Sequence, residues 1–117
     1  MNLTWSEDQQ LLIDSAQRFA ARYYTSDVRL RSLEQEPVSH SYSNVWRDLS
    51  QFGWLGVVVP SDSDGFGGGA MEVGILSEYA GRCLLLEPFL WSAVESVRLI
   101  QNVASPDVAE NWLKKIV

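Results

Sequence analysis

The residues best suited to chemistry in this chain are the glycines and carboxylates between positions 60 and 87, and they admit three readings. GFGGGA (65–70) satisfies the G-x-G-x-x-[GA] pattern, follows an apolar run, and is followed by Glu87. In a dinucleotide-binding fold such glycines let the backbone approach a pyrophosphate, and an acid roughly 20 residues on binds a ribose hydroxyl. LLLE (84–87) would then pass for the second strand. Against this, PSDSD (60–64) lies where a tight turn is needed, Asp62 and Asp64 would repel a diphosphate, and no third strand follows. The second reading is calcium. Asp62, Asp64 and Gly65 mimic positions three, five and six of an EF-hand loop, but Pro60 and Met71 then occupy positions one and twelve, where ligands are required. The third reading is structural: glycine permits positive φ and close backbone approach, so the loop turns the chain into the next helix. This third reading is favoured.

Other reactive groups stand apart. His40 sits alone in a Ser-rich loop and reads as a solvated histidine. Cys83, the single cysteine, falls on an apolar helical face and reads as a buried, inert thiol. Glu72, Glu78, Glu87 and Glu95 are scattered over helical surfaces, and no two form an acid/base pair. The Trp residues fit the core stripes, with Trp5 and Trp91 at an edge. No nucleophile constellation is present.

The elements that must position these groups are helical. Residues 4–25 read as an amphipathic helix, with Thr4 and Glu7 at capping-box spacing and Leu12, Ala16, Phe19 and Tyr23 in one stripe. Ser26 or Asp27 caps a short second helix to Leu33, and PVSHSYS (37–43) is a polar loop. A third helix starts near Ser43 with Val45, Trp46, Leu49 and Phe52 on one face, and Gly53 takes the left-handed cap position. WLGVVVP (54–60) is β-branched and extended on propensity.

Helical spacing resumes over 70–85 with Val73, Leu76, Ala80 and Cys83, where Glu78 and Arg82 form an i, i+4 pair. Pro88 opens the next helix, lined by Phe89, Ala93, Val97 and Ile100. Ser105-Pro106-Asp107 starts the last, which groups Ala109, Trp112, Leu113 and Ile116 and ends on Ile116-Val117 without a polar cap. That ending is expected of a chain that continues in a longer protein. The whole predicts an all-α, up-and-down bundle of five or six helices, forming a single domain over 1–117.

Composition narrows the function. The chain has 117 residues, 46% of them hydrophobic and 11% aromatic, which is enough for one domain with its own core and too apolar for disorder. Net charge is −6, and Lys114-Lys115 is the only adjacent basic pair, so no nucleic acid is expected as a partner. No apolar stretch approaches the ~18 residues of a membrane span. The N-terminus lacks signal-peptide character, so a cytoplasmic protein is expected.

Three segments in order, FGWLGVVVP (52–60), GFGGGA (65–70) and SEYAGR (77–82) leading to EPFL (87–90), resemble the N-terminal helical domain of acyl-CoA dehydrogenases. The opening W-S-E-D-Q-Q…F-A-A-R looks like that family's first helix, and SPDVAENWLKKI is similar to the segment before its central β-domain. The resemblance covers essentially the whole chain, and GFGGGA and EPFL look most like small subunits of heteromeric, pimeloyl-CoA dehydrogenase-like members. It departs at Ser61–Asp64, where the family commonly carries a further Gly.

The resemblance implies the first domain of a three-domain FAD enzyme, oligomeric in its complete form. Such an enzyme forms an α,β-double bond in an acyl-CoA thioester, using a Glu base and flavin contacts that lie in other domains. No catalytic residue transfers to this sequence, and neither turnover nor bound FAD is expected of the chain alone. What it implies here is a wall for the acyl tail, with inward positions among Phe89, Leu90, Ala93, Val94 and Val97, and residues 54–59 as an extended linker outside any sheet. Two rival readings remain: a non-catalytic helical module that docks a partner protein, and a dinucleotide-binding fragment acting through Gly65–Ala70.

Overall fold

The computed structural model describes residues 4–23 and 41–117. The predicted helix to Leu33, the PVSHSYS loop up to position 40 and His40 lie outside them. Five α-helices are present among the described residues: α1 (Glu7–Tyr23), α2 (Ser41–Gln51), α3 (Ala70–Cys83), α4 (Val97–Val103) and α5 (Pro106–Ile116). A 3₁₀ turn at Ser61–Ser63 precedes α3, and a π-helix at Leu90–Ser96 runs directly into α4. No strand occurs among these residues. The all-α expectation holds.

α1 starts three residues later than its first capping-box candidate. Ser6 and Gln9 form the box: the Gln9 amide donates to Ser6 Oγ at 3.2 Å, and the Ser6 amide donates to Gln9 Oε1 at 3.0 Å. Gln9 then does a second job, its Nε2 donating to Glu72 Oε1 at 2.8 Å and tying α1 to α3. Leu12, Ala16 and Phe19 are buried as the periodicity requires.

α2 ends in a Schellman arrangement. Gly53 has φ 78, the Trp54 amide donates to the Leu49 carbonyl, and the Gly53 amide donates to that of Ser50. α3 ends in the same pattern with Leu84 at φ 52, where glycine is the usual occupant. α5 begins as read, with Ser105 before Pro106 at the first position. Its stripe is narrower than expected: Leu113 is buried, while Trp112 is half exposed with Lys115 Nζ 4.9 Å from its ring centroid.

The segment 54–59 corrects the extended reading. It is a run of turns in which the Val57 amide donates to Trp54 and the Val59 amide to Gly56. All six residues are buried. Trp54 lies at the centre of the core, its ring centroid 4.9 Å from Phe19 and 5.5 Å from Phe89. Each such aromatic pair adds about 0.5–1.5 kcal/mol beyond its burial. α-Helix and loop therefore wrap a buried coil of β-branched residues, whose carbonyls must find donors elsewhere.

Candidate functional site

Those donors come from the Gly-rich loop. The amides of Phe66, Gly67 and Gly68 donate to the carbonyls of Gly56, Val59 and Val57 at 2.8–2.9 Å. The Gly65 amide donates to Pro60, and the Gly69 amide to Glu72 Oε2. Glycine is needed because the two segments nearly touch. A Cβ on Gly65 would lie 2.1 Å from the Val59 carbonyl oxygen, and one on Gly68 would lie 2.7 Å from that of Val57.

A dinucleotide or flavin diphosphate needs unengaged N–H groups pointing outward. All five amides from Gly65 to Gly69 are already taken inside the protein, so the loop does not fit FAD. The dinucleotide reading of Gly65–Ala70 is overturned on that ground, and by the absence of strands among the described residues.

Glu72 is held at this junction by Gln9, Gly69 and its own amide, and these bonds keep its carboxyl below the usual glutamate range. Its role is to tie elements together. Glu78 pairs with Arg82 on the exposed side of α3. Glu87 departs from the surface expectation, being buried in the connection after α3. Cys83 is buried as expected.

The five expected acyl-wall residues separate into two groups. Phe89, Ala93 and Val97 are buried in the domain's own core, at 2%, 0% and 0% exposure. Leu90 is 48% exposed, and Val94 is half-buried against the core. The π-helix explains the strict four-residue spacing of the buried set. On an α-helix, positions four apart drift by about 40° per step. In the wider i→i+5 helix four residues come nearer to a full turn, so one stripe stays on the core. Ser96 Oγ, which donates to the Trp91 carbonyl at 2.7 Å, braces this segment. Outward, the same helix carries Trp91 at 75%, Leu99 at 64% and Val103 at 75% exposure, the side no sequence stripe singled out.

An open groove of about 360 Å³ lies elsewhere, lined by Leu11 and Leu12 of α1, Phe52, Phe66 and Val117 with Asp8 and Asp64 at hand. None of the expected wall residues lines it. No group of three or more metal-ligating side chains occurs among the described residues.

Residues 6–117 match the family profile described as acyl-CoA dehydrogenase, N-terminal domain. The chain belongs to that family. No curated protein and no solved structure matches it. Membership in the acyl-CoA dehydrogenase N-terminal domain family associates the chain with acyl-CoA substrates and with the other dehydrogenase domains. It also agrees with the helical architecture. No described helix is long and apolar enough to cross a membrane.

Proposed function

We propose that this chain is the first of three domains of a cytoplasmic FAD-dependent acyl-CoA dehydrogenase, where it walls part of the acyl-chain pocket and scaffolds the neighbouring domains. The observation that carries this reading is the helix from Leu90 to Val103, which leaves Leu90, Trp91, Leu99 and Val103 exposed while Phe89, Ala93 and Val97 are buried. Large apolar side chains grouped on one exposed face mark a contact surface, and in a dehydrogenase the acyl tail and the remaining domains would cover it. Leu90 and Val94 are the two wall candidates with surface to offer. Phe89, Ala93 and Val97 stand behind them and fix the helix in place.

When bound, FAD accepts the hydride in this chemistry. The Gly-rich loop holds the core together and contributes no diphosphate cradle, so the chain's part is to bind, orient and exclude water. Proton abstraction and flavin binding fall to the other domains.

The test is substrate preference in the dehydrogenase carrying this domain. Leu90→Ala and Val94→Ala should each change the ratio of kcat/KM between short and long acyl-CoA thioesters, by roughly 10-fold for a lost methylene contact. Phe89→Ala should instead lower stability. Ratios unaltered by both wall variants would remove the assignment.

A further inference from the structure

The two halves of the helix, Leu90–Ser96 and Val97–Val103, turn a stripe of Trp91, Glu95, Leu99 and Val103 to solvent at four-residue intervals, with Leu90 and Arg98 beside it. Glu95 and Arg98 are the only charged residues in this helix, one of each sign, and both are exposed. The face is therefore locally neutral on a chain whose net charge is −6. A like-charged second copy meets little repulsion there.

The pattern is also self-complementary. An antiparallel second helix, related by a two-fold axis passing between Ser96 and Val97, sets position 95 opposite 98, 94 opposite 99 and 90 opposite 103. Glutamate then meets arginine twice, Leu90 meets Val103 and Val94 meets Leu99, while Trp91 lies opposite Asn102. A register centred on Glu95 would instead oppose two carboxylates, and one centred on Val97 would set Glu95 against Leu99 and Arg98 against Ser96, so of the three only the first pairs the opposite charges. An isologous dimer requires this property: residue i meets j, and j meets i.

We propose that the 117-residue chain forms a two-fold dimer through the outer face of this helix, Glu95 of each copy facing Arg98 of the other. This does not rest on the dehydrogenase reading. Other domains of a dehydrogenase would cover the same face, and the chain by itself covers it with a second copy.

The test is sedimentation velocity at low ionic strength, where unscreened charges have their largest effect, over a wide protein concentration range. A monomer–dimer equilibrium is expected. Arg98→Glu should raise the dissociation constant at least about tenfold by opposing like charges. The double swap Glu95→Arg with Arg98→Glu should return it to within about threefold, because both pairs are restored with reversed sign. Trp91→Glu should weaken the dimer as much as the single reversal, with helical circular dichroism unchanged since the side chain is exposed. A monomer at every concentration overturns the proposal. So does open-ended association, or a double swap no tighter than Arg98→Glu alone.

Discussion

Replacing Gly65 by alanine tests whether the Gly-rich loop is a structural crossing. The added Cβ would sit 2.1 Å from the Val59 carbonyl oxygen and 2.4 Å from its carbon. Gly65 does not have a positive φ, so the obstacle is the neighbouring backbone alone. That backbone cannot easily retreat, because the Val59 carbonyl accepts from Gly67 and Val59 itself is fully buried. Separating the segments would weaken the bonds from Gly65, Phe66 and Gly67, each worth about 1 kcal/mol net. It would also loosen the packing of Val57 and Val59. A loss of about 3–5 kcal/mol is expected. A domain of this length has about 6–17 kcal/mol in total.

The assay is urea unfolding followed by circular dichroism and tryptophan fluorescence. Gly74→Ala and Gly81→Ala are the controls. Both lie inside α3 with nothing within 4 Å of the added Cβ, so each should stabilise by about 0.5–1 kcal/mol. If Gly65→Ala cost less than about 1 kcal/mol, within the range of ordinary surface changes, the crossing would not be what requires glycine.

Trp54→Phe keeps a buried ring while removing Nε1, which has no acceptor among the described residues. It should cost no more than about 1–2 kcal/mol by urea unfolding, against about 3–5 kcal/mol for Trp54→Ala. Leu84→Gly should raise the unfolding midpoint, since the side chain is 58% exposed and its φ of 52 is costly for leucine; the gain is about 0.5–1 kcal/mol. For Glu72 the folded-state pKa is lowered, first by the Gln9 side chain and then by the Gly69 amide. Its stabilisation is therefore complete above the unfolded glutamate pKa and fades as pH falls through the lower folded value. Glu72→Gln should flatten that part of the stability–pH curve, and an unchanged slope would count against the tie.

Much of this fold was legible wherever structure follows from neighbours in sequence. The α1 stripe, the Gly53 cap, the Ser105-Pro106 start and the Phe89–Ala93–Val97 row all rest on local spacing. What was not legible depends on partners far along the chain. Ser6 and Gln9 prevail over Thr4 and Glu7 as the capping box, and Gln9 is also drawn to Glu72, 63 positions away. Residues 54–59 look extended by composition, yet they coil into turns because amides from Phe66 to Gly68 satisfy their carbonyls. The π-helix had one available signal, the strict four-residue spacing of its buried positions. On the helix that carries the expected wall positions, sequence spacing does not distinguish the sealed face from the open one. Trp91, Leu99 and Val103 were missed as a set because one hydrophobic stripe already accounted for the helix.

The central claim is that this domain supplies wall and scaffold while the redox chemistry lies in other domains. It is tested most directly by purifying the 117-residue chain, recording its visible spectrum with added FAD, and assaying acyl-CoA-dependent reduction of an electron acceptor. A folded helical protein that retains no flavin after desalting and reduces no acceptor is expected. A yellow protein that turns over acyl-CoA would contradict it.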